Sequence, residues 1–457
     1  MRIALLSYRS KPHGGGQGVY VRHLSRELAA LGHTVEVFSG QPYPELDAGP
    51  TLTKIPSLDL YNDANPFRTP HPREIRNWID VLEVVTMWTA GFPEPRTFSL
   101  RAARTLGDRL ADFDVVHDNQ CLGSGLLKLE EAGFPVVATV HHPITRDREL
   151  AMKEAPLRKK LTTWRWFGFL GMQIKVSRKL QEIITVSSNS ADDIVTDFGV
   201  DPDRIVTIPL GVDTDRFHER RDREPGRLVC VASADQPLKG VPILLRALAK
   251  VREEHPNARL TLVSKLKRKG EAAKLLDSLG LRDAVDLVNG VDDDELADLV
   301  GTAEIAVVPS MYEGFSLPAV EAMSSGCALV ATRAGALPEV VGTDESAARL
   351  VEPGNVDELA RQICALLSDP EERRRLSEGG RARVMERYSW AAVARRTVEV
   401  YQAAIARVRG EKLPGFTAGP VIGPDQAEID EHVNAEVPEV LPGTGEYDIR
   451  EQEDAAC

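Results

Sequence analysis

The chain has 457 residues, 42% hydrophobic and 27% charged, with a net charge of −13. It is too long for one ordinary core, fits two α/β domains plus a tail, and has the composition of a soluble globular protein. No segment approaches the apolar length that crosses a bilayer, and the first strand turns polar at Ser7-Tyr8-Arg9 too soon for a signal peptide. The acidity is concentrated at the end. Residues 410–457 hold twelve acidic residues against Lys412 and Arg450, so the body is only mildly acidic and nothing points to a nucleic-acid partner. Cys121, Cys230, Cys327, Cys364 and Cys457 show no C-x-x-C spacing. They read as buried free thiols of a cytosolic protein.

In chain order, Arg2 to Tyr8 reads as a strand, Val19 to Leu31 as a helix, and Thr34 to Ser39 as a second strand. Asp114 to His117, Pro135 to His141, Glu182 to Ser187 and Ile205 to Pro209 continue the series. Asp213 to Gly226 is polar and aperiodic and reads as a linker. The pattern then restarts with Arg227 to Ser233, Arg259 to Ser264, Ala284 to Val288, Glu304 to Ser310 and Ala328 to Thr332. Alternating strands and helices imply two doubly wound parallel sheets, each binding ligands at the carboxyl ends of its strands. The expected units are 1–212 and 227–389, an acidic and disordered tail over 410–457, and a helix near 390–408 that returns to the first unit.

Several strand ends carry chemistry. His13-Gly14-Gly15-Gly16-Gln17-Gly18 lets the backbone approach a ligand at the start of a helix, as a phosphate contact or only as a turn. His117, His141 and His142 close strands, where an imidazole can hydrogen-bond a sugar hydroxyl or carry a proton. Lys239 stands where a strand gives way to a helix, placed to pair with phosphate oxygens. Asp292-Asp293-Asp294 precedes a helix and is better explained by N-capping than by a metal. Between Glu149 and Ile183, basic residues including Arg158, Lys159 and Lys160 interleave with Trp164, Trp166, Phe167 and Phe169. That mixture suits an anionic membrane surface or, on the competing reading, a core helix with solvated charges.

The most informative stretch is Glu313-Gly314-Phe315-Ser316-Leu317-Pro318-Ala319-Val320-Glu321. It joins a buried strand to a helix over Leu317 to Ser325, whose first N–H groups suit a phosphate. Two acids lie eight residues apart across that junction.

Taken in order, these motifs resemble the retaining glycosyltransferases of the GT-B family 4 over about residues 1–408. The set comprises the Gly-rich loop into Gly18-Val19-Tyr20-Val21, Leu31-Gly32-His33-Thr34-Val35, Thr139-Val140-His141, Pro209-Leu210-Gly211-Val212-Asp213, Lys239-Gly240 and the E-x7-E stretch. The resemblance implies two Rossmann-like domains facing a cleft and a metal-independent transfer with no cofactor beyond a nucleoside-diphosphate sugar. A hexose, of GDP-mannose or UDP-glucose type, would pass to a glycolipid or glycan in cell-envelope synthesis. It implies that Glu313 contacts donor-sugar hydroxyls, Glu321 the ribose diol, and the N–H groups of Phe315, Ser316 and Leu317 the diphosphate. It further implies that Lys239 neutralises the leaving group, Gly15 or Gly16 approaches the diphosphate, and His141 hydrogen-bonds the sugar. The chain departs from the family at Ser233, where an arginine is usual; Lys265 is the expected substitute cation. A GT-B epimerase or hydrolase and a non-catalytic nucleotide-sugar sensor are the alternatives. A cytoplasmic protein, peripheral on the inner face of the plasma membrane, fits the glycolipid reading.

Overall fold

A computed structural model describes residues 1–411 apart from 12–15, 63–64, 66, 221, 235 and 268–269. Thirteen strands form two parallel sheets among the described residues. The first sheet contains β1 (Arg2–Ser7), β2 (Thr34–Ser39), β3 (Thr51–Lys54), β4 (Val115–Asn119), β5 (Val136–Val140), β6 (Glu182–Thr185) and β7 (Ile205–Thr207). Its order is β3-β2-β1-β4-β5-β6-β7. The second contains β8 (Glu224–Val231), β9 (Arg259–Val263), β10 (Val285–Val288), β11 (Ala303–Val308), β12 (Ala328–Thr332) and β13 (Ala348–Val351), in the order β10-β9-β8-β11-β12-β13. Strands such as β4, β5 and β12 are buried along their whole length, as expected where helices cover both faces of a parallel sheet.

Each sheet reverses its winding once, between β1 and β4 and between β8 and β11. At such a switch point the loops on either side diverge and leave a crevice beyond the strand ends. The Gly-rich segment follows β1, Lys239 follows β8 and the Glu313 loop follows β11.

The linker is not loose. Arg216 binds Asp293 and Asp294 at 3.1 and 2.8 Å, and Arg223 donates to the carbonyls of Ala303, Ser325 and Gly326. The last helix, Trp390–Arg409, packs on the helix Gly16–Ala30. Tyr401 Oη lies 2.6 Å from His117 Nδ1, Trp390 stacks on His23 at 5.1 Å, and Arg407 pairs with Glu182 at 2.8 Å. One apolar core runs through both sheets and this helix. β3 and β13 are the strands the sequence reading lacks. Both are short strands at a sheet edge, TLTK and ARLV, in which Thr, Lys or Arg interrupts the apolar run. The expected tail, apart from Gly410 and Glu411, lies outside the described residues.

Candidate functional site

Two loops at the β8/β11 switch point meet first. After β8 the chain makes one 3-10 turn, Pro237–Lys239, ended by Gly240 at φ +63°. A Cβ at Gly240 would sit 1.9 Å from the Pro309 carbonyl oxygen, so only glycine lets this turn press on the segment leaving β11. Met311 N–H donates to Leu238 O at 2.7 Å across the same contact. Lys239 Nζ thereby reaches Glu313 Oε1 and Oε2 at 3.0 and 3.1 Å. Ser310 Oγ donates to Oε1 at 2.7 Å. Glu313 is buried, and a buried carboxylate is tolerable only with partners of this kind. Lys239 and Glu313, assigned by resemblance to phosphate and sugar, therefore stand as one preformed pair.

Beyond Glu313 the backbone turns sharply. Ser316 adopts φ 89°, a strained value for a residue with a Cβ, and precedes the helix Leu317–Ser324. The N–H groups of 315, 316 and 317 donate to no other described residue. Ser316 Oγ is buried and equally without a partner. Unsatisfied donors gathered at a helix start make an anion site. The Phe315 side chain points elsewhere, into the core against Tyr388 at 5.6 Å. Glu321, one turn on, is half-buried, and its carboxylate makes no hydrogen bond among the described residues. Burial, with a smaller push from Asp293, raises its pKa to about 7.

The first sheet closes over this loop. Ser187 Oγ donates to Gly314 O at 2.6 Å, and Ser190 Oγ to Gly314 O and His141 O at 3.2 and 3.1 Å. A Cβ at Gly314 would lie 3.1 Å from His141 O. Tyr312 Oη donates to Asp193 at 2.6 Å, and Glu339 accepts from Ser188 N at 2.9 Å. His141 is thus brought to the Glu313 loop. Its Nε2 is held by Asn119 Oδ1 at 2.8 Å, its N–H donates to Gln120 Oε1 at 2.8 Å, and Tyr20 packs edge-on at 4.8 Å. Burial, helped by His142 and His117, lowers the His141 pKa to about 3. A pKa that low leaves the ring uncharged at neutral pH, which disfavours the carried proton of the two sequence expectations. His117 is structural: buried among β-strands, it joins Tyr401 and Thr139 Oγ1, the latter at 2.7 Å. His142 lies 3.3 Å from Asp147.

Gly16 opens its helix, whereas Gly15 lies outside the described residues. Ser233 and Lys265 are both exposed, at the ends of adjacent strands β8 and β9, and Ala234 N donates to Ser264 Oγ at 2.7 Å. Lys265 therefore stands on the same rim as Ser233. Asp292 caps its helix through the N–H groups of Asp294 and Glu295 at 3.0 and 2.9 Å, and Asp293 binds Arg22 and Arg216.

The basic aromatic segment divides. Trp164, Arg158 and Lys160 are exposed and Lys159 half-buried. Trp166 is 6% exposed, packed on Phe92 at 5.1 Å with Phe167, Phe169 and Leu170 also inward. Its place among candidate membrane residues is overturned, because the core already holds it. No helix of the described residues is long and apolar enough to cross a membrane.

Comparison with known proteins fits this geometry. The model described as Glycosyltransferase Family 4 matches residues 14–216, and Glycosyl transferases group 1 matches 212–383. MMP alpha-(1->4)-mannosyltransferase of Mycolicibacterium hassiacum is 60% identical over 409 residues, 89% of this chain and 99% of that protein. The chain belongs to this family of glycosyltransferases. Among solved structures, sucrose-phosphate synthase from Thermosynechococcus elongatus superposes with a TM-score of 0.67 at 23% identity, covering 89% of this chain and 99% of its own. Anabaena HepE in complex with UDP-glucose gives 0.64 at 17% identity, covering 88% and 100%. Both share the GT-B fold.

In this family 4 chain, several residues around the site escape sequence reading. Asn119 and Gln120 orient His141 from the end of β4, and Ser187, Ser190 and Tyr312 fasten the glutamate loop. Their signal is weak, since Asn, Gln and Ser after a strand are ordinary turn and cap residues and a lone Tyr in a loop has no local pattern. Only tertiary contact distinguishes them, with His141 inside the first sheet for Asn119 and Gln120 and across the two sheets for Ser187, Ser190 and Tyr312.

Proposed function

We propose that this glycosyltransferase moves mannose, with retention, from a nucleoside-diphosphate mannose to the 4-hydroxyl of a mannose-containing glycan or glycolipid. The observation that carries the reading is the Lys239–Glu313 pair beside the unpartnered N–H groups of residues 315–317. The sugar and linkage rest on the relative named an α-(1→4)-mannosyltransferase. Nucleotide-linked mannose is α, so an α product means retention.

In this reading the diphosphate lies on the helix start and draws on Lys239, while Glu313 receives hydroxyls of the sugar. Glu321 takes the ribose diol, and neutral His141, fixed by Asn119, exchanges a hydrogen bond with the sugar. The acceptor oxygen bonds to the anomeric carbon on the face the phosphate leaves, the carbon–phosphate-oxygen bond breaks, and the hydroxyl proton passes to the leaving phosphate oxygen. Positive charge aimed at that oxygen does most where negative charge develops. Lys239 and the backbone dipoles supply it in a metal-independent reaction. The setting proposed is the cytoplasm, in synthesis of an envelope glycan or related polysaccharide.

The purified protein should transfer mannose from GDP-mannose to a mannoside acceptor faster than glucose from UDP-glucose, and NMR of the product should show an α-(1→4) bond. Replacing Lys239 by Ala should lower kcat by roughly 100-fold or more, the size seen on removing one donor to a developing oxyanion. A β product ends the retaining reading. Nucleotide release without added acceptor, at the same rate as with it, favours the hydrolase alternative.

A further inference from the structure

The helix Trp78–Trp88 is turned inside out with respect to charge. Asp80 and Glu83 are buried and both bind the guanidinium of buried Arg101, Asp80 at 2.7 Å. Asn77 caps the helix start, accepting from Ile79 N at 2.9 Å. The outer face is Trp78, Val81, Val85 and Trp88, exposed by 59, 48, 48 and 65%. Beside it Leu157, Leu161 and Trp164 are exposed by 88, 71 and 55%. The two faces adjoin, because the Arg165 guanidinium donates to Thr89 O and Oγ1 at 3.2 and 2.9 Å.

Tryptophan and β-branched valine are poor choices for a solvated helix face. Together these seven residues expose on the order of 900 Å², above the roughly 300–600 Å² of the largest patch on a typical monomer. That is close to the roughly 800 Å² each partner gives to a standard protein interface. The spacing is also informative. Trp-x2-Val-x3-Val-x2-Trp steps by three, four and three, the seam of a helix pair, and it reads the same in both directions. A two-fold interface requires a patch complementary to itself. Laid antiparallel on its own copy, Trp78 meets the partner's Trp88 and Val81 meets the partner's Val85, with no ionised group in the seam.

We propose that the helix Trp78–Trp88 pairs with the same helix of a second copy about a two-fold axis, flanked by Leu157, Leu161 and Trp164. Arg158, Lys160 and Arg165 then occupy the solvated rim. An anionic membrane would use those cations, but it requires neither a charge-free seam nor a pattern that reads the same backwards.

Sedimentation of the full chain over a micromolar concentration series should give twice the chain's mass. Val81→Glu/Val85→Glu, which places four like charges in the seam, should raise the dimer dissociation constant by at least about 100-fold. The far-UV circular dichroism should be unchanged, with Val85→Glu alone intermediate in effect. A wild-type monomer throughout the series overturns the proposal, as does a dimer that both variants leave intact. So does a monomeric wild type that binds phosphatidylglycerol vesicles and loses that binding in the double variant, which assigns the surface to lipid.

Discussion

Glu321 is the side chain whose environment makes the sharpest statement. Its folded pKa of about 7 stands above an unfolded value of about 4.3, so between those values the folded state binds the extra proton. Stability therefore falls as pH rises through that window, by at most about 4 kcal/mol for this group. Asp118, also raised to about 7 by burial, acts in the same direction. His117 and His141, lowered to about 3, act in the opposite one, since the unfolded chain takes up their protons first. The wild-type profile mixes these signs, and Glu321→Gln separates them. The variant should gain stability relative to wild type as pH rises from 5 to 8, read by urea unfolding at each pH. Donor affinity of the wild type should improve over the same range, because only the carboxylate accepts from both ribose hydroxyls. A pH-independent difference between the two proteins contradicts the assignment. At the rim, Lys265→Ala should raise donor KM about tenfold, in keeping with loss of one charge-assisted contact. An unchanged KM would sink Lys265 as the substitute for the arginine missing at Ser233.

Among the elements, the final helix ties the far end of the described chain back to the first sheet. Its Tyr401 hydroxyl and Thr139 satisfy a histidine with no access to solvent. Tyr401→Phe leaves one buried ring nitrogen unpaired, at a cost of about 1–3 kcal/mol. Hydrogen exchange should quicken across 390–409 and along β4, while donor KM stays within about twofold. Exchange confined to the helix end contradicts the role given to this contact. The motif helix Leu317–Ser324 was legible beforehand because Pro318 and the apolar run mark its start. The helix Trp78–Trp88 was not read, because a helix with apolar residues on both faces gives no clean period.

Across the whole molecule, cleft geometry depends on a few hydrogen bonds between the sheets. Ser190→Ala with Tyr312→Phe removes two of them, Ser190 to Gly314 O and Tyr312 to Asp193, together with the Ser190 bond to His141 O inside the first sheet, and leaves the Ser187 cap in place. About 1–3 kcal/mol of closure should be lost. Donor KM should rise roughly tenfold, since 1.4 kcal/mol is a factor of ten. Small-angle scattering without donor should show a larger radius of gyration. Unaltered scattering together with unaltered KM would show that these bonds do not hold the cleft closed.

The sequence by itself determined the alternation of strands and helices, the two-sheet architecture and the order of motifs along the strand ends. These follow from local periodicity and from glycine, proline and acidic residues at particular steps, all within a few residues of one another. Even the resemblance rested on such local signatures. Tertiary structure alone decided that Lys239 and Glu313 are a single ion pair and that His117 is a strut while neighbouring His141 meets the loop. It also decided that Trp166 is core while Trp164 is surface. Each of these depends on groups distant in sequence meeting in a low-dielectric interior, where position sets both charge state and exposure.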